Sequence, residues 1–308
     1  MSGLYLAADA GGSRVTYVLA DAERVLARTE SATIKRIRVS AEIAAANLKE
    51  AFAALESTSG RKLAEVTRSC VGTSGWTVPQ VGDFIRESWA GSVGGELELV
   101  GDIAIALDAA FQGGRGALAL AGTGSNVAAR SADGTIFVTG GYGPALGDQG
   151  SADWIGKQAL REVFLTPDER NPAPFLRRVM ERWETRSLDM LIAKAHAEPP
   201  PDFARLSIDV AELAKAGDAV CAGVLERGGR ELAAQVLHAI CRVREQEPEA
   251  TDFDPPAVAC AGSILHYVDA VRAAMTDELR RVYPTIQVLP GVIDPVMGAL
   301  WRARNSAA

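Results

Sequence analysis

Two short loops rich in glycine and hydroxyl residues, Asp9-Ala10-Gly11-Gly12-Ser13-Arg14 and Ala121-Gly122-Thr123-Gly124-Ser125-Asn126, each join a pair of short apolar segments, and this pairing constrains the fold more than any other feature. Around the first loop, residues 4–8, 15–19 and 24–29 predict three strands with tight turns. Around the second, residues 117–121, 126–130 and 136–139 predict the same meander again. A chain that builds one arrangement twice is expected to hold a structural repeat without sequence identity, and hence two related lobes.

The remaining pattern agrees with that division. Residues 41–55 carry apolar side chains at helical spacing, followed by a strand at 69–72, a helix near 81–89 and a strand at 97–100, which together predict an α/β lobe. After the second meander, a long helical stretch runs from Ser151 to about Glu245, broken by the proline-rich segments 171–174 and 199–201. Strand, helix and strand then recur at 258–260, 264–282 and 286–289, and Pro295 begins a terminal helix. With 308 residues, 48% of them hydrophobic and 23% charged, the chain has room for two folded domains and is not disordered.

Charge and cysteine usage exclude several classes. The formal net charge is −7 and no block of basic residues occurs, so neither a nucleic acid nor an anionic membrane is an expected partner, and any phosphate must be held by local geometry. Cys70, Cys221, Cys241 and Cys260 are widely spaced and form no Cys-x-x-Cys pair, which argues against a zinc cluster or a disulfide framework. The start of the chain lacks a basic leader, and no apolar run approaches the roughly 18 residues of a membrane span. A cytoplasmic location is therefore expected.

Five features carry chemistry. In the first loop, glycines let backbone amides converge on a phosphate, Ser13 adds a hydroxyl, and Asp9 is placed to orient a hydrated magnesium ion; the same residues also suit a plain turn between strands. The second loop occupies the matching place in the repeat, and two such loops in equivalent positions are expected to face a common cleft. The third is Gly140-Gly141-Tyr142-Gly143-Pro144-Ala145-Leu146-Gly147-Asp148-Gln149-Gly150-Ser151, which leads into a helix. Its glycines favour close approach to a ligand, while Asp148 or Ser151 could serve only as the helix cap. The fourth is Asp102, between a strand end and a helix start, where a carboxylate suits proton acceptance from an attacking hydroxyl and also suits an N-cap; Asp108 reads as solvated helix surface. The fifth is Ala261-Gly262-Ser263, a strand-to-helix turn that a flat base could approach.

In their order along the chain, these features resemble the N-acetylglucosamine kinase family, within the superfamily of actin, sugar kinases and heat-shock chaperone ATPases that also holds the activator-type ATPases of benzoyl-CoA reductase. The likeness is most specific at Gly122-Thr123-Gly124-Ser125-Asn126, Gly140-Gly141-Tyr142-Gly143 and Gly147-Asp148-Gln149-Gly150-Ser151-Ala152-Asp153-Trp154-Ile155, and extends to Ala-Gly-Asp at 216–218 and to Asp294-Pro295-Val296-Met297-Gly298-Ala299. The resemblance implies a two-lobed actin-like (ribonuclease H-like) ATPase fold of the α/β class with a helix-rich second lobe, the first lobe spanning 1–116 plus 293–308 and the second 117–292. It implies ATP and Mg2+ as cofactors and an amino sugar as substrate. By that likeness Gly11, Gly12, Ser13, Thr123, Gly262 and Ser263 border ATP, with Ala204 and Tyr267 as further neighbours. Ser125, Asn126, Gly141, Asp148 and Ala152 contact the sugar, and Asp102 is the base. The helical second lobe could form a homodimer interface, though nothing in its pattern requires one.

One departure bears on the substrate. Where the family has a sugar-binding asparagine, this chain reads Ser31-Ala32-Thr33-Ile34-Lys35-Arg36-Ile37-Arg38, so that Thr33 or Lys35 takes the place of an amide. The basic run is expected to be a solvated strand edge, with a ligand for an acidic sugar as the other reading. Gln149 stands where an acidic residue is common. An activator ATPase and a non-catalytic sugar sensor are the competing classes; the first is disfavoured because no cysteine lies near residues 122–143.

Overall fold

The computed structural model describes residues 3–165, 173–248 and 253–305. The chain divides into two units, Met1–Gly114 with Ile293–Ala308, and Arg115–Val292.

The first unit opens with the meander β1 (Tyr5–Ala10), β2 (Arg14–Ala20) and β3 (Val25–Ala32), then α1 (Ala41–Ser59), β4 (Arg68–Gly72), α2 (Pro79–Ala90), β5 (Glu96–Val100) and α3 (Asp102–Phe111). Its sheet has the order β3-β2-β1-β4-β5, antiparallel through the meander and parallel from β1 to β5. Strand β1 is apolar at nearly every position because both its faces are covered, as a central parallel strand requires. Helix α1 starts at Ser40, whose hydroxyl accepts the Ile43 N–H at 3.3 Å, and stops at Gly60, which supplies the left-handed φ of 68°. On one face of the sheet, Leu48, Phe52 and Leu55 of α1 pack with Ile85 and Trp89 of α2.

The second unit repeats the plan: β6 (Gly116–Ala121), β7 (Ser125–Arg130) and β8 (Ile136–Gly140) form the meander, and β9 (Val258–Ala261) adds in parallel to β6, giving β8-β7-β6-β9. Between β8 and β9 run α4 (Ala152–Phe164), α5 (Pro174–Arg182), α6 (Leu188–Ala195), α7 (Leu206–Lys215) and the 28-residue α8 (Ala219–Gln246). After β9 come α9 (Ser263–Tyr267) and α10 (Asp269–Val282). The last helix, α11 (Pro295–Asn305), belongs to the first unit and packs on α3 and β1 with Val296, Ala299, Leu300 and Ala303 buried.

Four expectations need correction. The strand expected at 286–289 is reduced to one parallel bridge, Val258↔Val288, with Gln287 O and the Leu289 N–H bonded to Val258 at 2.8 Å. It stands where β5 stands in the first unit, but Pro284 and Pro290 bracket it and neither has an N–H to extend the ladder. The helix expected at 264–282 is broken at Val268, whose φ of −113° and ψ of 80° are not helical. The proline-rich segment at 171–174 lies in part outside the described residues.

Asp108 is not solvated. It is fully buried, its carboxylate accepts from Arg302 Nε of α11 and from the Gly113 N–H at 3.1 Å, and Arg302 also bonds Glu98 at 2.5 Å. Burial of the carboxylate is tolerated here because the guanidinium of the half-buried Arg302 pairs with it directly. Nor is the basic run after β3 a solvated edge at its start: Thr33 and Lys35 are 7% and 4% exposed.

Candidate active site

In the first unit, the groups singled out above gather at the C-terminal ends of β1, β4 and β5, the end at which parallel α/β sheets present ligands. Gly11, Gly12 and Ser13 turn β1 into β2. A Cβ on Gly11 would lie 2.8 Å from Arg14 O, so the turn is too tight for a side chain there. Thr33 stitches this turn to the end of β3: its N–H donates to Ser13 O at 3.1 Å and its hydroxyl to Gly11 O at 3.0 Å. Thr73, fully buried after β4, ties all three strand ends, donating its hydroxyl to Ala10 O at 2.9 Å and its N–H to Val100 O at 3.0 Å. The sequence reading missed Thr73, since a threonine after a strand carries no signal of its own.

Asp102 does not cap α3. Gly101 occupies the cap position without a side-chain bond, and Asp102 is the first helical residue, its Oδ1 accepting the Ile103 N–H at 3.0 Å. Asp9, near the end of β1, lies close enough to Asp102 and Asp294 to feel both. Burial first, then these two carboxylates, push its carboxyl up from 3.8 to about 6, against the pull of Lys35 and Arg14. Asp294, which precedes α11, pairs with Arg28 Nη1 at 2.5 Å.

The cost of ionising Asp9 gives a prediction. Because its folded value lies above the unfolded one, its contribution to stability is fully present below pH 3.8 and is lost as pH rises through about 6. The gap corresponds to about 3 kcal/mol against the folded state at pH 8 without a bound cation. Asp9→Asn is therefore expected to raise metal-free stability at pH 8 and to change it little at pH 4. Urea unfolding at both pH values measures this, and an equal effect at the two would contradict the burial of the charge.

In the second unit, the loop between β6 and β7 closes through Gly122 N–H donating to Gly124 O at 2.9 Å. Its outward carbonyls, Gly122 O and Thr123 O, accept the N–H groups of Ala152 and Asp153 at 2.9 and 3.3 Å, so the loop and the start of α4 form one piece. Ser151 is the cap of α4, accepting the Trp154 N–H at 3.2 Å. That leaves Asp148 free of the capping role. It is 7% exposed, holds a left-handed φ of 60°, and its carboxylate accepts the backbone N–H groups of Ser125 and Gly143; burial raises its pKa and those bonds oppose the rise. A Cβ on Gly124 would come within 2.7 Å of Asp148 Oδ2. Ser125 donates to Gln149 O at 2.8 Å.

Asn126 packs on Gly141, where a Cβ would stand 2.7 Å from its Nδ2, and its Oδ1 is buried without a partner among the described residues. Gln235 of α8, absent from the sequence reading, behaves alike: its Nε2 bonds Gln149 Oε1 at 3.2 Å, while its own Oε1 lies against Gly140, buried and unbonded. Two orphaned carbonyl oxygens beside one glycine pair call for a ligand's donors or for water. Nothing in the helical spacing of α8 distinguishes Gln235 from an ordinary surface residue.

The Gly262 turn also joins this group. Gly262 has φ 89°, and a Cβ there would lie 2.3 Å from Ala121 O, so only glycine lets β9 turn into α9 so near the loop, with Ser263 Oγ 3.8 Å from the Cβ position of Gly122. Ala204 and Tyr267 are not among these contacts. Ala204 sits in the turn before α7, packed on the core, and Tyr267 ends α9 at 69% exposure with its ring edge-on to His266.

Two sheets of one strand order, each with a glycine loop between its first two strands, define an actin-like ATPase fold. The chain belongs to the BadF/BadG/BcrA/BcrD ATPase family, which it matches over residues 8–303. It is 27% identical over 320 residues to the N-acetyl-D-glucosamine kinase of Dictyostelium discoideum, covering 98% of each chain. It is 26% identical over 258 residues to the N-acetylmuramic acid/N-acetylglucosamine kinase of Clostridium acetobutylicum, covering 80% of each. The crystal structure of a candidate N-acetylglucosamine kinase from Chromobacterium violaceum superposes with a TM-score of 0.72 at 23% identity, covering 97% of this chain and 98% of the other. No helix among the described residues is long and apolar enough to cross a membrane.

Proposed function

We propose that this protein is an ATP-dependent kinase that phosphorylates a hydroxyl of an amino sugar, with N-acetylglucosamine, converted to its 6-phosphate, as the leading substrate. The observation that carries the reading is Asp102: a carboxylate at the C-terminal edge of a parallel sheet, in the first turn of α3 rather than at its cap position, with one oxygen on the Ile103 N–H, and beside a glycine turn suited to phosphate. The names of the two relatives above support the same chemistry.

Asp102 would accept the proton of the attacking sugar hydroxyl. Gly11, Gly12, Ser13 and Thr123 would hold phosphates, and Gly262 and Ser263 would border the nucleoside, with Ala204 and Tyr267 as its outer neighbours. Ser125, Asn126, Gly141, Asp148 and Ala152 would contact the sugar. Ala152 can do so only through its surroundings or its methyl group, since its N–H is spent on Gly122 O. ATP supplies the transferred phosphoryl group and Mg2+ the neutralising charge. Asp9 fits a magnesium ion: burial first, and then the neighbouring carboxylates, hold its carboxyl unusually basic, a cost that a cation would relieve. No three ligating side chains cluster among the described residues, as suits an ion that keeps most of its water and takes its other ligands from phosphates.

A coupled ADP-release assay with ATP and magnesium tests the reading against N-acetylglucosamine, glucosamine, N-acetylmuramic acid, N-acetylmannosamine and glucose, with a control lacking sugar. Release that depends on one amino sugar is the expected result. Equal release with and without every sugar would overturn it in favour of an activator-type ATPase or a non-catalytic sugar sensor.

A further inference from the structure

The basic turn after β3 does more than replace an asparagine. Lys35 is 4% exposed, yet among the described residues its ammonium donates only to the hydroxyl of Ser74, in the exposed loop after β4. An ammonium has three N–H donors, and burying the remaining two without acceptors is costly. Burial pushes the Lys35 ammonium below the usual lysine range; Asp102 and Asp9 oppose that through their charge, but neither forms an ion pair with it among the described residues. Arg38 is a second cation of the same turn, its backbone N–H bonded to Lys35 O at 2.8 Å. Its guanidinium lies over the first glycine loop, 3.6 to 3.8 Å from the Cβ position of Gly12. Arg36 is directed elsewhere, to Val39 O at 2.6 Å, and Arg14 pairs with Glu30 at 3.3 Å. Thus Lys35 and Arg38 stand together, like-charged and without a carboxylate ion-pair partner among the described residues.

We infer that Lys35, Ser74 and Arg38 form an oxyanion site, which holds an anionic oxygen group of a substrate in the kinase reaction proposed above. Lysine and arginine offer donors alone, so the group they receive must be a pure acceptor, unlike the amide that an asparagine would pair with. Two sources share that chemistry: a carboxylate on the sugar, and the terminal phosphate of the nucleotide lying over Gly12. Seating either gives the two free donors of Lys35 their acceptors and offsets the repulsion between Lys35 and Arg38.

Calorimetric titration of the whole chain distinguishes the outcomes. The probes are N-acetylmuramic acid, N-acetylglucosamine, the ATP analogue AMPPNP with magnesium, and ADP with magnesium, each with wild type, Arg38→Ala and Lys35→Met. Arg38 is exposed, so Arg38→Ala keeps the test informative if Lys35→Met fails to fold. A sugar carboxylate as the ligand predicts at least tenfold weaker binding of N-acetylmuramic acid with N-acetylglucosamine unchanged. A terminal phosphate predicts the same loss for AMPPNP with ADP within twofold. Wild type that binds these probes while both variants match it within twofold on all four would overturn the inference and leave the kinase reading standing. Wild type that binds none of them would overturn both.

Discussion

Replacing Asp102 by asparagine is expected to lower turnover with the amino sugar by about a hundredfold or more while nucleotide binding persists. The substitution keeps the shape and one carbonyl oxygen, so the Ile103 N–H retains its acceptor and α3 its start. What disappears is the lone pair that would take the hydroxyl proton, along with one of the two carboxylates that push up Asp9. Magnesium affinity should therefore hold or fall only modestly, and the loss should appear in kcat rather than in KM for ATP. Steady-state kinetics together with nucleotide titration separate these quantities. Turnover within a few-fold of wild type would remove Asp102 from the role of base.

The largest expected effect on folding is at Gly298. A Cβ at this position of α11 would lie 1.8 Å from Ile105 O and 2.5 Å from Ala109 N, both backbone atoms of α3, so no rotamer change can relieve the clash. Gly298→Val must push the two helices apart, and this strains the contacts of Val296, Ala299 and Leu300 with β1 and the pairing of Arg302 with the buried Asp108. Overpacking alone costs about 1 to 3 kcal/mol, and leaving the buried Asp108 carboxylate without its arginine adds about 3 to 5, so a loss of roughly 4 kcal/mol or more is expected. Gly223→Ala in α8 is the control: a Cβ there meets nothing within 4 Å, and the change should be neutral or stabilising by about 0.5 to 1 kcal/mol. Chemical denaturation of both variants measures the contrast. Equal stabilities would mean that α3 and α11 do not pack through Gly298.

Much of the fold could be read before any coordinates. Each expected strand of the two meanders overlaps an observed one, because period-two patterning and flanking glycines are local signals. The glycine loops and Asp102 stood out by composition and by position at strand ends. Their alternatives could not be decided locally: Ser151, Asp148 and Asp102 all have side chains able to cap a helix. Only the folded chain shows that Ser151 does so, while the backbone N–H groups of Ser125 and Gly143 claim Asp148.

The amino-acid sequence by itself determined the α/β class, the duplicated meander, the glycine turns and the terminal helix, since these follow from hydrophobic period and backbone freedom within a few residues. Tertiary structure decided the burial of charges. Asp108 is buried because Arg302 arrives from a helix 194 residues away, and Lys35 because β3, β4 and the first glycine loop close around it. The orphaned oxygens of Asn126 and Gln235 likewise exist only once α8 lies against Gly140. A charge or an amide takes its meaning from the atoms that exclude water from it, and those atoms come from distant parts of the chain.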